Sequence, residues 1–322
     1  MLRYMQIITK TSKLLILVLL TCSILIVWDG GSKNVAILSP LLTIQTVTSQ
    51  QTPPVSIWSS LRNEFKIDHK TQSAQVQAEI RKLLADEGRL YDILKAAGPY
   101  IYFIHKQTQA RGLPAEIALI PVIESEFNPN DRSSKGATGL WQLMSGTAHE
   151  LGVKVMPGYD GRRNVVASTK AALTYFNDLA NNFKGNWYLA IAAYNCGPGC
   201  VASAARRAGS QNFWDLHVPK ETQYYVPRLL AVAAIVNNPE KYGIVLPPIL
   251  DKPYFTEVKV SSTVNLERVA ANSGVNIKTL KKLNPDIKQQ MVPKKGADTL
   301  LIPVDKAPII KAQLTLKEQV VA

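Results

Sequence analysis

The chain has 322 residues, enough for two or three domains, and its 46% apolar and 19% charged content is that of a globular protein with a sizeable core. Lysine and arginine exceed aspartate and glutamate by 13 (37 minus 24), which points to an anionic partner such as a membrane surface, a wall polymer or nucleic acid. There is no zinc-type Cys/His spacing, no P-loop and no RNA-binding aromatic signature, so a nucleic-acid partner is not expected.

Arg3, Lys10 and Lys13 precede an apolar run over residues 14–28, which fits a long signal-peptide core or a short membrane anchor. No A-x-A cleavage site follows closely, so residues 1–29 are read as a signal or anchor, cleaved or uncleaved, with the rest of the chain exported. Residues 30–72, with "SQQTPPVSIWSS" at their centre, read as a linker that docks on the following domain.

Helical periodicity begins at Ala74. Val76, Ile80, Leu83 and Leu84, then Leu90, Ile93 and Leu94, recur at three- and four-residue spacing until Gly98-Pro99. A second helix is expected over 100–112, with Gly112 as its stop. A third is expected over 113–125, with Pro114 in its first turn and Glu116 near the positive end of its dipole. Residues 125–138 read as loop. Helices are then expected over 139–152, over 164–183, over 186–196 with a Gly-Pro-Gly turn at its end, and over 220–239 with a kink or restart at Pro227. Nothing from 74 to 240 alternates with period two, so an all-helical domain over 73–246 is expected.

Composition shifts after Tyr242. Two short β-type runs, 254–260 and 298–304, flank a helix-turn-helix pattern over 265–285, which makes a small βααβ module over 253–304, followed by a tail over 305–322. The fold class is therefore mainly α, with a small α/β module at the C-terminal end.

Cys196 and Cys200 sit in "NCGPGC". A metal would need two more ligands, and His69, His105, His149 and His217 show no matching spacing, so neither metal nor cofactor is expected. Two readings stay open for the pair: a local disulfide in an oxidising compartment, or two small packed thiols.

Glu124 ends an apolar run, "ALIPVIE". A glutamate at a helix C-terminus opposes the dipole, so a structural role would pair it with a base such as Arg132 in the loop that follows. Ile117, Leu119, Ile120, Val122 and Ile123 before it favour another reading: an apolar setting raises a carboxyl pKa and keeps a proton available near neutrality, as a general acid requires. Three further segments are unusual for plain core: Trp141-Gln142, Tyr194-Asn195, and Tyr224-Tyr225 beside Glu221 and Thr222. Taken singly, Asn195 reads as a helix cap, and Trp141 and Tyr225 as core.

Together, "ES" (124–125), "GLWQL" (139–143), "AAYNCGPG" (192–199) and "ETQYYV" (221–226) resemble the lysozyme-like soluble lytic transglycosylase (SLT) domain of glycoside hydrolase family 23. The wider run over about 75–245 resembles its membrane-bound lytic murein transglycosylase D subgroup. The resemblance implies a lysozyme-like helical fold, Glu124 as single catalytic acid/base, and substrate contacts from Ser133, Gln142, Tyr194, Asn195 and Tyr225. It places the Ser133 hydroxyl within reach of Glu124 and the Tyr225 hydroxyl near the catalytic carboxyl or a sugar. It also implies a monomeric, cofactor-free enzyme acting on peptidoglycan strands at the periplasmic side of the membrane. Cleavage between N-acetylmuramic acid and N-acetylglucosamine would close the C6 hydroxyl on C1 to give a 1,6-anhydro end.

Glycosidases usually employ two carboxylates. Glu126 and Asp131 follow Glu124 but fall in a polar loop and are read as solvated or structural. Hydrolysis on the same fold is the alternative, and an inactive wall-binding scaffold is a third reading. The C-terminal module, through "LKKLNP" and "LLIP", resembles a lysin-motif (LysM) domain of degenerate form, since "KVSSTVN" stands where a Gly-Asp turn is usual. Its surplus of five basic residues (12 against 7 acidic over 251–322) suits an acidic wall or membrane surface.

Overall fold

The computed structural model describes residues 55–260, 265–287 and 299–312. The expected N-terminal signal or anchor, the linker up to residue 54 and the tail beyond 312 lie outside the described residues. Among the described residues no helix is long and apolar enough to cross a membrane.

The part of the expected linker that is described is integral to the helical body. Helix α1 (Ile57–Arg62) is capped by the Ser56 hydroxyl and buries Ile57, Trp58 and Leu61. The Trp58 indole donates to the Pro247 carbonyl at 2.7 Å, which clasps this segment to the distant chain beyond the last long helix. Such a contact leaves no local signal, and the Pro-Pro and Ser residues around it read as linker.

The periodic stretch 74–97 is two helices, not one. Asp86 leaves helical geometry and accepts the Arg89 N–H, ending α2 (Ala74–Leu84) and capping α3 (Glu87–Ala96). Helix α4 (Ile101–Gln109) follows. The next segment winds first as a 3-10 turn, Ala115–Leu119, then as α5 (Ile120–Glu124). Glu116 in that turn is fully buried, and its carboxylate accepts the Lys66 and Ile67 N–H groups while contacting His69 at 3.1 Å, so its charge is spent on backbone donors and an imidazole.

Helix α6 is Ser145–Glu150, shorter than the helix expected over 139–152. Residues 139–143 form a tight turn instead, because Gly139 (φ +87°) and Gln142 (φ +46°) occupy left-handed geometry. A two-residue antiparallel ribbon, β1 (Val155–Met156) and β2 (Tyr159–Asp160), corrects the all-helical expectation; it is too short for a period of two to register.

Helix α7 (Val165–Asn182) starts at an Asn164 cap, and α8 (Trp187–Cys196) at an Asn186 cap. The Gly-Pro-Gly expected as a closing turn instead starts a new helix, α9 (Pro198–Ala208): Gly197 (φ +91°) turns the chain and Pro198 supplies the first helical position. Helix α10 (Lys220–Asn237) runs through Pro227 without a restart. Its buried face, from Tyr225 to Val236, packs against α2, α5 and α8, and α8 contributes a fully buried Leu189–Ala193. A helix buried nearly all round keeps its course despite one lost N–H donor.

The C-terminal module has the expected βααβ order: β3 (Phe255–Lys259), α11 (Leu266–Ser273), α12 (Ile277–Leu283) and β4 (Thr299–Pro303). Strands β3 and β4 pair antiparallel from Phe255↔Pro303 to Lys259↔Thr299. Asn284 stitches α12 to β4, exchanging hydrogen bonds with both the N–H and the carbonyl of Leu301 at 2.8 Å. The module is seated on the helical body. The Tyr100 hydroxyl donates to the Lys282 carbonyl, Phe103 meets Phe255 with ring centroids 5.4 Å apart, and the Asn164 amide donates to buried Asp286 at 2.9 Å. Burial raises the Asp286 carboxyl to about 6.

Candidate active site

Glu124 is the last residue of α5, and the chain after it turns through two left-handed residues, Glu126 (φ +52°) and Phe127 (φ +57°). That abrupt exit leaves the carboxyl lining a cleft of about 700 Å³ between α2, α3 and Arg228 of α10. Burial raises the carboxyl to about 7; a hydrogen bond from Tyr225 lowers it, the Glu221 charge raises it and the Arg228 charge lowers it. The Tyr225 hydroxyl donates to Glu124 Oε1 at 2.5 Å. Burial and the neighbouring Glu124 push the phenols of Tyr194 and Tyr225 well above their ordinary range, so both are neutral donors at any working pH. Arg132, the candidate ion-pair partner, forms no ion pair with Glu124 among the described residues.

Removing the phenol oxygen has a signed consequence. With the Tyr225→Phe substitution the donor that favours the ionised carboxylate is gone, so Glu124 will titrate above its position near 7. Carbon-detected NMR of glutamate-labelled protein across pH 5–10 reads this directly; an unchanged titration would show that the bond is not formed in solution.

Of the expected site residues, Tyr225 is bonded to Glu124 and Tyr194 is close enough to feel its charge, while Gln142 and Asn195 are bonded to other partners on neighbouring segments. Ser125, its neighbour, donates to the Leu140 carbonyl at 2.9 Å, and the Tyr194 hydroxyl donates to the Trp141 carbonyl at 2.8 Å. The turn that carries Gln142 is thus held from both sides. Its amide is turned back on the loop, donating to the Gly139 carbonyl at 2.9 Å. Tyr194 lies flat on Phe176, ring centroids 4.3 Å apart, so its orientation is fixed. Asn195 is no helix cap: it lies within α8 and ties that helix to α10, accepting from Thr222 at 2.7 Å and donating to Glu221 at 3.3 Å. Thr222 stands three residues before Tyr225 on α10, so this bridge also sets the tyrosine. Trp141 is fully buried, its indole bonded to Thr169.

Ser133 too is bonded elsewhere. Its oxygen accepts the Ala137 N–H at 3.0 Å within its own loop, and among the described residues it forms no hydrogen bond to Glu124.

Other carboxylates line the same cleft. Glu79 is buried and paired with Lys82 and with Arg228, Glu126 is paired with Arg89, and Asp86 caps α3. Asp131 stands at the rim without an ion pair among the described residues. Glu79, Lys82 and Arg228 were missed from the sequence, although signals existed. Glu79 interrupts the buried stripe Val76–Ile80 of α2, and Arg228 lies one turn beyond Tyr225 on the same face of α10. The disulfide reading of the cysteine pair is the one the structure takes: Cys196 and Cys200 are bonded, with Cα atoms 5.9 Å apart, joining the end of α8 to the first turn of α9.

The chain is similar to several known proteins. The Transglycosylase SLT domain family matches residues 101–217, and the LysM-like domain of lytic transglycosylase MltD matches residues 254–319. Membrane-bound lytic murein transglycosylase D of Escherichia coli (strain K12) is 35% identical over 278 residues, covering 82% of this chain and 61% of the relative. A protein of Alteromonas sp. (strain M-1) named for tributyltin chloride resistance is 36% identical over 174 residues, 53% of this chain and 83% of that one. Among solved structures, an inactive mutant of lytic transglycosylase Slt from Pseudomonas aeruginosa is 26% identical and covers 60% of this chain and 33% of that chain, with a TM-score of 0.39. This chain therefore spans about three fifths of the length of its E. coli relative. The chain belongs to the SLT-domain lytic transglycosylase family and carries the LysM-like module of the D-type members.

Proposed function

We propose that the chain is a peptidoglycan lytic transglycosylase, cleaving the β-1,4 bond between N-acetylmuramic acid and N-acetylglucosamine and leaving 1,6-anhydro-N-acetylmuramic acid ends. The observation that carries this reading is Glu124: a half-buried carboxyl at a helix end, raised to about 7, with a neutral phenol bonded to it. Such a group is protonated in a large fraction at neutral pH and can give its proton to the glycosidic oxygen. The bond from C1 to that oxygen breaks, and the N-acetyl carbonyl of the same sugar stabilises the positive centre. The Glu124 carboxylate then takes the proton of the C6 hydroxyl as its oxygen closes on C1. Each proton given is recovered, so no second carboxylate or external water is consumed. Intramolecular closure gains from effective molarity, provided that the sugar is held with its C6 hydroxyl over C1.

Tyr225 orients Glu124, Tyr194 supplies a wall to the cleft, and Gln142 and Asn195 are assigned to the sugar through the amide valences that Gly139, Thr222 and Glu221 leave unused. Ser133 is assigned a contact with substrate: its oxygen accepts from Ala137, and its hydroxyl proton is left to donate. The enzyme works as a monomer, without metal or organic cofactor, in the cell envelope, exported by or anchored through residues 1–29, on the periplasmic side.

Digestion of purified sacculi, followed by mass spectrometry of the muropeptides, tests the reading. Products lighter by one water than reducing muropeptides are expected. Reducing ends would overturn it in favour of hydrolysis and would point to Glu126 or Asp131 as the second carboxylate. Binding without any product would make the chain a wall-binding scaffold.

A further inference from the structure

The cleft over Glu124 does not end at the helical body. A second hollow, of about 480 Å³, shares Glu126 and Asn128 with it and is walled on its far side by Lys278, Lys281 and Lys282. These lysines stand at i, i+3 and i+4 of α12, on one face of the helix. All three are exposed, and none forms an ion pair among the described residues. Among the described residues the only carboxylate lining this hollow is Glu126, and its charge is already met by Arg89. The side-chain amide nitrogen of Asn128 donates to nothing among the described residues; its oxygen accepts the Asn130 N–H. The face is fixed in place, since the Tyr100 hydroxyl holds the Lys282 carbonyl. A surface that is concave, cationic, rich in amides and continuous with a glycan cleft suits an anionic peptide branching from the glycan better than it suits a flat lipid surface.

We infer that Lys278, Lys281 and Lys282 form a subsite for the carboxylates of peptidoglycan stem peptides, so that the LysM-like module is the far wall of the substrate groove. The inference rests on the transglycosylase reading for the nature of the strand, and on the shared walls of the two hollows for its route. Lysines act here as point charges that accept carboxylates in several geometries, which suits a stem whose acidic groups vary in position.

The test uses the full chain in detergent micelles, with Glu124→Gln as background, so that binding is measured without cleavage. One ligand is soluble glycan strands that bear stem peptides; the other is the same strands stripped of peptide by an amidase. The triple substitution Lys278→Glu/Lys281→Glu/Lys282→Glu is expected to weaken the peptide-bearing strands at least tenfold and to leave the stripped strands within twofold. The triple arginine variant is expected to bind both as the parent does. Equal weakening of both strands, or of neither, would overturn the subsite. So would loss of binding to phosphatidylglycerol vesicles with strand binding intact, which would assign the lysines to a membrane surface. Failure of the cleavage reading shows separately, as absence of anhydro products from the unsubstituted chain.

Discussion

Glu124→Gln will reduce the release of anhydro-muropeptides by at least about a thousandfold, since proton transfer by a positioned group contributes about 10²–10⁴ and here one group serves both steps. The substitution keeps the volume of the side chain and an oxygen that can still accept from Tyr225. What it removes is the proton. In the unsubstituted chain the rate should fall as pH rises through about 7, where burial places the Glu124 carboxyl, because the acid form is needed first. A rate maximum well above pH 8 would contradict this assignment.

The same substitution should stabilise the fold. The carboxyl titrates near 7 when folded against 4.5 ordinarily, so the fold favours its neutral form. That contribution is complete below pH 4.5 and is lost as pH rises through about 7. Glutamine never ionises and escapes the loss, so at pH 8 the variant should be more stable by about 2–3 kcal/mol. Thermal unfolding at pH 4 and pH 8 separates the two regimes: equal melting near pH 4, a higher melting temperature for the variant at pH 8. Loss of activity with reduced stability at both would show that Glu124 is a structural group.

The second large effect concerns a residue with no chemistry. Gly139→Ala is expected to destabilise the chain by about 3–5 kcal/mol or to prevent folding, through overpacking against rigid backbone. A Cβ there would stand 2.0 Å from the Arg162 carbonyl oxygen and 2.8 Å from its carbon, and the backbone is at φ +87°. The neighbour cannot yield. Arg162 is buried, doubly bonded to Asp160 at 2.9 Å, and donates to the Gly136 carbonyl at 3.0 Å. If the chain folds, the turn carrying Trp141 and Gln142 must move away from Tyr194, and activity should fall with stability. A melting temperature within about 2 °C of the parent would show that the turn is slack, since about 1 kcal/mol moves it by that much in a domain of this size.

Glu124 was legible because a carboxylate after five apolar residues breaks a pattern, and Tyr225 because two tyrosines open an otherwise aliphatic helix. The βααβ order of the module was legible from a change of period. The turn at 139–143 was not. "GLWQLM" has helical composition, and what forbids a helix is the approach of Gly139 to Arg162, a contact made only once the chain has folded. Helix α9 was hidden for a local reason: Gly-Pro-Gly reads as a stop, while Pro198 is a start. The bond implied between Ser133 and Glu124 fails because the loop closes on itself through Ala137, a choice of backbone that residue identity does not record. Glu79 and Arg228 show the reverse case, a charge on a buried stripe whose meaning appears only when its partner helix arrives.

The seating of the C-terminal module bears on how such a protein can travel along a polymer. A binding domain on a loose leash raises the local concentration of its ligand but measures nothing, because the leash samples many lengths. Here Asp286, Tyr100 and Phe255 bolt the module to the body, so the gap between its lysines and Glu124 is a constant of the molecule. With a stem peptide on the lysines, as inferred, a strand touching both ends would be held in a single register, and the position of the cut would be counted in sugars from that stem, as a caliper sets a distance, and not drawn at random along the chain.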